Sequence, residues 1–198
     1  MKRITALLAV SMIAFSLAHA GYRVGDKAAD FKLQNIDGKY VSLADYPNAK
    51  GFIVVFTCNT CPYAKAYQDR IIALDKKYKS KGYPVIAINS NDTDLKPEDG
   101  MAGMKERAKE KGFTFPYLKD ANYKVFKEYG ATRTPHIFVL TKQGGDLVVS
   151  YIGAIDDNYQ DASAVKDPYV ANAVDALLAN RQPDPNFTKA IGCTIKQK

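Results

Sequence analysis

Gly51-Phe-Ile-Val-Val-Phe-Thr-Cys58-Asn-Thr-Cys61-Pro62 is the stretch whose reading sets the fold. Phe52 to Phe56 form a continuous apolar run, β-branched at its centre, which predicts a central strand covered on both faces. Beyond the two cysteines, Ala64, Tyr67, Ile71, Leu74 and Tyr78 recur at spacings of three and four. That period predicts an amphipathic helix, with lysines in its last turns and Gly82 as its stop. The dithiol therefore stands where a buried strand gives way to a helix.

The spacing carries chemistry. Cysteines at i and i+3 on a helical turn approach the roughly 5.5 Å Cα separation of a disulfide. A sulfur at a helix start also meets free backbone N–H groups and the positive end of the dipole, which lower its pKa. On this reading Cys58, on the loop side, is the exposed nucleophile and Cys61, inside the first turn, the thiol that resolves a mixed disulfide. Pro62 suits an early helix position that needs no N–H partner. Other uses fit less well. A static bridge here closes a tiny loop and gains little loop entropy, and a zinc site would need Cys193 and His136 to complete it. Haem attachment requires His where Pro62 stands.

Downstream, Pro84 to Asn89 is again apolar, so a parallel strand–helix–strand unit is expected. Asn91 to Gly100 reads as a polar loop. A helix is expected over 101–111, ending at Gly112, and a short one over 122–129, ending at Gly130. Strands over 136–141 and 147–152 flank Gln143-Gly-Gly-Asp146 as an antiparallel hairpin. A last helix should start at Asp167-Pro168, with Asp167 as its cap, and run through Val170, Val174 and Leu178. Upstream, Asp37-Gly38 between two alternating segments predicts an N-terminal hairpin.

The ends differ from this body. Lys2 and Arg3, an uncharged run from Ile4 to Leu17 and Ala18-His-Ala20 form the pattern of a secretory signal over 1–20, cleaved before Gly21. The apolar run is shorter than the roughly 20 residues a bilayer span needs, so a periplasmic or secreted protein without stable membrane association is expected. Residues 21–180 then form one domain and 181–198, with Pro183 and Pro185, a tail packed on it or trailing from it. The 28 basic and 21 acidic residues give a net +7, falling to +5 without Lys2 and Arg3. The lysines are interleaved with acids along helices, which describes a solvated surface rather than a nucleic-acid reader.

Taken together, the dithiol after Phe-Ile-Val-Val-Phe-Thr57 and the segment Tyr129-Gly-Ala-Thr-Arg-Thr-Pro-His-Ile-Phe-Val-Leu140 resemble the thioredoxin superfamily, most closely its exported AhpC/TSA-redoxin branch. The resemblance implies an α/β thioredoxin-like fold, a mixed central sheet with helices on both faces and an N-terminal hairpin extension. It implies thiol-disulfide oxidoreductase activity on protein or small-molecule disulfides and dithiols, a redox partner protein and no cofactor or metal. Pro135 takes the place of the family's cis-proline, with Thr134 pairing to an extended substrate. Where thioredoxins often bury an acid, six residues before the first cysteine, this chain has Phe52. His136 is the nearest candidate to move the proton instead, ahead of Tyr63 and Lys65.

Two relatives offer other activities. Aligned on peroxiredoxins, Cys61 takes the peroxidatic position, but Cys58 and Val54 stand where their motif has Thr and Pro, and Pro135 falls near their activating Arg. Copper chaperones would use Cys58, Cys61 and His136, but place three residues between the cysteines, and Met101 and Met104 read as core positions. Cys193 is open to three readings: a buried thiol in a docked tail, a partner for another chain, or an additional thiol returning over the dithiol to resolve Cys58.

Overall fold

The computed structural model describes residues 21–198, so the expected secretory signal lies outside the described residues. Ten strands are β1 (Lys27–Ala28), β2 (Lys32–Asn35), β3 (Tyr40–Ser42), β4 (Gly51–Phe56), β5 (Val85–Asn89), β6 (Tyr117–Lys119), β7 (Arg133–Thr134), β8 (His136–Gln143), β9 (Asp146–Gly153) and β10 (Cys193–Thr194). Four α-helices among the described residues are α1 (Pro62–Tyr78), α2 (Met101–Lys111), α3 (Lys124–Tyr129) and α4 (Tyr169–Leu178).

Eight strands form one mixed sheet in the order β1-β9-β8-β4-β5-β6-β2-β3. β4 and β5 pair in parallel, as do β5 and β6, while β8 runs antiparallel to β4 on its other side. β4 sits at the centre, and all six of its residues are buried. Its alternation divides the core. Ile53 and Val55 face Tyr67 and Ile71 of α1, Met104 of α2 and Val170 and Val174 of α4. Phe52, Val54 and Phe56 face Val125, Phe126 and Tyr129 of α3. Burying side chains of this size is worth about 1.5–3 kcal/mol each, so helices on both faces are what a doubly apolar strand requires. Met104 is fully buried, the core position its spacing predicts.

The N-terminal hairpin forms as expected: β2 pairs with β3 across Asp37-Gly38, where Gly38 has φ 85°, and the pair extends the sheet beyond β6. The β8–β9 hairpin turns on Gly144 and Gly145, both at positive φ, as a two-residue connection between right-twisted strands demands.

Two local expectations are corrected. Asp167 does not cap α4: the helix starts at Tyr169 with Pro168 in the capping position and no side-chain cap. Asp167 instead belongs to a turn, its N–H donating to Asp157 Oδ1 and its carbonyl accepting from Tyr169. α3 begins at Lys124 rather than 122, because the Asp120 carboxylate accepts from the N–H groups of Lys124, Val125 and Phe126 and sets its start from outside. The segment 91–100 is the polar loop expected, though part of it turns inward. It carries a 3₁₀ turn over Pro97–Asp99, and Asn91, Asp92 and Asp99 are buried.

The tail is docked on the domain at two stretches, 186–188 and 192–196. Asn186 and Thr188 exchange backbone hydrogen bonds with Ile152, and Thr188 Oγ1 accepts from Ala154 N–H. Gly153 makes this approach feasible, since a Cβ there would collide with Thr188. Farther on, β10 pairs antiparallel with β7, Ile195 is buried, and Lys196 exchanges hydrogen bonds with Asp92 and Asn91.

Candidate active site

Because β4 runs straight into α1, the dithiol sits at the carboxyl end of the central parallel pair β4–β5. Ligands of open α/β sheets gather at that edge. Cys61 is the N-cap of α1, in extended conformation, with Pro62 as the first helical residue. All three cysteines are free thiols, and Cys58, Cys61 and Ala64 form a small buried cluster against which Cys193 and Tyr63 pack.

The strand before β8 closes the site from the other side. Thr134–Pro135 is a cis peptide, as the resemblance implied. Thr134 meets both sulfurs: its Oγ1 lies 3.3 Å from Cys58 Sγ, and its carbonyl oxygen lies 3.1 Å from Cys61 Sγ. Over Thr134 lies the chain's own tail, with Cys193 opposite Thr134 in the β7–β10 register and its N–H 3.4 Å from Cys61 Sγ.

This geometry corrects the expected exposure of Cys58. Cys58 is 1% exposed and Cys61 3%, because Thr134 and the tail strand cover them. It also places the lowered pKa on the second cysteine. A hydrogen bond from the Cys58 thiol, together with donors from Cys193 and the backbone N–H of Ala64, holds Cys61 down to about 4 against the cost of burial. Cys58 moves the opposite way, pushed well above its ordinary value by that hydrogen bond to Cys61, by burial and by the charge of Asp99.

Beneath the dithiol lies a polar network that sequence reasoning missed. Asp99 is fully buried and accepts from the Asn59 N–H at 2.6 Å, Thr60 Oγ1 at 2.7 Å, Asn89 Nδ2 at 3.0 Å and Asn91 Nδ2 at 2.8 Å. Tyr117 donates to Asn59 Oδ1, and Lys119 Nζ donates to the carbonyls of Asn91 and Asp99. Burial lowers the pKa of Lys119, with Asp99 and Asp120 opposing. An acid does stand under this dithiol, then, delivered by the 91–100 segment rather than by β4. Phe52 lies on the opposite face of β4, edge-on to Tyr46. The available signal was positional: the segment after β5 must emerge beside the end of β4.

His136 is not brought into this network. It is buried, its Nδ1 accepts from the Thr132 N–H at 3.2 Å, and its ring packs against Phe138. Desolvation pushes its pKa down to about 4, which keeps the ring neutral near pH 7. Tyr63 packs on Tyr159 at the rim. Among the described residues no cluster of three or more His, Cys, Asp or Glu has an arrangement suited to a metal ion.

Residues 24–148 match the family model described as the AhpC/TSA family. The chain belongs to the AhpC/TSA family. Within curated proteins this AhpC/TSA member is similar to the thiol-disulfide oxidoreductase ResA of Bacillus thuringiensis, 27% identical over 121 residues, which cover 61% of this chain and 65% of that protein. The chain thus aligns with just under two thirds of the length of that relative. In solved structures it resembles an uncharacterized conserved protein from Geobacillus kaustophilus, with TM-score 0.82, 36% identity and coverage of 89% and 93% of the two chains. It also resembles a putative thioredoxin from Neisseria meningitidis, with TM-score 0.51, 26% identity and coverage of 62% and 77%. The fold is thioredoxin-like, with the mixed sheet, two-sided helices and N-terminal hairpin that the sequence implied.

Proposed function

We propose that this AhpC/TSA protein is a thiol-disulfide oxidoreductase that exchanges disulfides through Cys58 and Cys61. One observation carries the reading: Cys58 and Cys61 are free thiols one helical turn apart where β4 enters α1, and both sulfurs meet Thr134 at the cis Thr134–Pro135 peptide. A thiolate is the attacking species in exchange, and a neighbouring thiol releases the mixed disulfide. Cys61 attacks the substrate sulfur to form a mixed disulfide; Cys58 then gives up its proton and attacks Cys61, the Cys58–Cys61 bond closes, and the substrate sulfur leaves as a thiolate that takes up that proton. The similarity to ResA supports the same activity.

The groove beside Thr134 and Pro135 takes an extended strand, and Thr134 aligns that strand with the sulfurs. His136 holds the Thr132 backbone and stays neutral. The substrates are protein or small-molecule disulfides and dithiols, renewed by a redox partner protein. Lys2, Arg3 and the apolar run after them support an activity outside the cytoplasm. Among the described residues no helix is long and apolar enough to cross a membrane.

Insulin reduction with a thiol donor tests the reading. The wild-type chain should catalyse it, and Cys61→Ser and Cys58→Ser should each abolish turnover. A wild-type rate equal to that of the donor alone would rule the function out. Sequencing of protein recovered from the medium or periplasm should begin at Gly21.

A further inference from the structure

The groove that a substrate strand would occupy is filled by residues 192–194 of the same chain. β10 pairs with β7 so that Cys193 stands opposite Thr134, the residue that touches both active-site sulfurs. The Cys193 N–H points at Cys61 Sγ from 3.4 Å, and its carbonyl lies 3.5 Å from Thr134 Oγ1. Gly192 packs directly on the Thr134–Pro135 peptide, where a Cβ would collide with the Thr134 carbonyl. Arg133 reaches back to the Gly192 carbonyl and to Thr194 Oγ1, and buried Ile195 anchors the far side. Hence a strand of this chain, with a cysteine at its centre, lies as a substrate would. Unlike the dithiol, Cys193 keeps part of its surface in solvent.

We propose that Cys193 is a third redox thiol, which exchanges with Cys61 and relays disulfides between the buried Cys58–Cys61 pair and substrate thiols at the surface. The inference rests on the exchange function above and deepens it: while residues 192–194 cover the groove, substrate sulfur meets Cys193, and Cys61 exchanges with it through Cys193 rather than directly. In the oxidised chain the Cys193 thiolate attacks Cys61 Sγ. The Cys58–Cys61 bond breaks, the Cys61–Cys193 bond forms, and Cys58 leaves as a thiolate that takes up the proton Cys193 released. A thiolate of a substrate dithiol then attacks Cys193 Sγ and Cys61 leaves. The second substrate thiol attacks the mixed disulfide and Cys193 leaves. The substrate is oxidised by two electrons and the protein is reduced by two. In reverse, the same steps reduce a substrate disulfide.

Burial and the neighbouring Cys61 thiolate raise the Cys193 pKa to about 11 in the reduced chain. The second of those causes vanishes once Cys61 is in a disulfide, so the relay thiol is more readily ionised in the oxidised state, where it must attack. Strand pairing keeps Cys193 beside Cys61 at an effective concentration no free thiol in solution reaches.

The test uses the full mature chain and oxidised glutathione as the probe, with disulfides mapped by peptide mass spectrometry. In Cys58→Ser the expected product is an internal Cys61–Cys193 disulfide. Glutathione left on Cys61 with Cys193 as a free thiol would overturn the relay. Gly192→Val in the same background lifts the strand and should lower the yield of the internal disulfide about tenfold, through loss of effective concentration; an unchanged yield would mean that the docked strand does not present Cys193. In the otherwise native chain, Cys193→Ser should lower the oxidation rate of a reduced protein dithiol about tenfold, and an unchanged rate would overturn the relay. Should the wild-type chain itself turn over no substrate, the exchange function fails, while the mapping still decides whether Cys193 pairs with Cys61.

Discussion

Asp99 Oδ1 accepts the backbone N–H of Asn59 at 2.6 Å, across 40 residues of sequence. One buried carboxylate thereby fixes the two residues between the cysteines, because its other oxygen takes the Thr60 hydroxyl. The same carboxylate supplies part of the field that keeps Cys58 protonated.

Replacing Asp99 should therefore act on stability and on the thiols together. Asp99→Ala leaves the Asn59 N–H and the amides of Asn89 and Asn91 without their acceptor, and loosening such a buried network costs about 2–4 kcal/mol. Urea unfolding of the reduced chain should show that loss as a lower midpoint. In Asp99→Asn the charge is gone and volume is kept, so the Cys58 pKa should fall relative to wild type. A thiol titration in which Cys58 does not move would mean that the charge of Asp99 does not reach it.

The Cys61 thiolate has its own signature. With the group held down to about 4 from a usual value of 9.0, the ultraviolet absorbance of one thiolate should persist from alkaline pH down to near pH 4. Cys61→Ser should abolish that absorbance at pH 6, and Cys58→Ser should weaken but not abolish it, since Ala64 and Cys193 still donate. A thiolate that instead disappeared with Cys58→Ser and stayed in Cys61→Ser would restore the order in which Cys58 attacks.

How much of this was legible follows from the range of the interactions. The β4 run, the period of α1 and the Asp37-Gly38 turn are encoded by residues within a few positions of one another, and those elements stand where their patterns put them. The Cys58–Cys61 spacing likewise specified a dithiol at a strand–helix junction. Asp99 and Cys193 were not readable in the same way, since each reaches the site through pairing distant in sequence: the 3₁₀ turn at Pro97–Asp99 and the β7–β10 ladder. The misjudged exposure of Cys58 has the same origin. A helix start predicts an open sulfur, and Thr134, 76 residues beyond Cys58, closes it together with the tail strand.

His136 gives the chain an acid sensitivity with a definite sign. Its folded pKa of about 4 lies below the unfolded 6.5, so the unfolded chain binds the proton first as pH falls. The neutral ring's contribution is intact above pH 6.5 and is lost progressively down to about pH 4, to a total of about 3 kcal/mol. His136→Asn retains an acceptor for the Thr132 N–H and does not titrate, so its stability should fall less steeply than wild type between pH 6.5 and 4. Denaturant midpoints measured across that window check this, and parallel curves for the two proteins would contradict it.

Membership of the AhpC/TSA family raises peroxide reduction as a second activity, and the surroundings of Cys61 argue against a fast one. Attack on a peroxide leaves a hydroxide or alkoxide, which needs donors aimed at the departing oxygen. Around Cys61 Sγ the structure places the Thr134 carbonyl, an acceptor, and the Cys193 N–H, already engaged with the sulfur. Among the described residues no arginine hydrogen-bonds to either sulfur of the dithiol: Arg133 is turned to the tail and Arg70 to Asp156. The closed strand also bars entry, since Cys61 is 3% exposed. Stopped-flow mixing of the reduced protein with hydrogen peroxide should therefore show only slow loss of thiolate, at a rate near that of a free low-pKa thiol. Gly192→Val, which lifts the strand, should admit peroxide and speed the reaction only modestly, because opening the site supplies no donor. A fast phase in the wild-type chain that is lost in Cys61→Ser would make the protein a peroxidase that uses its tail as a gate.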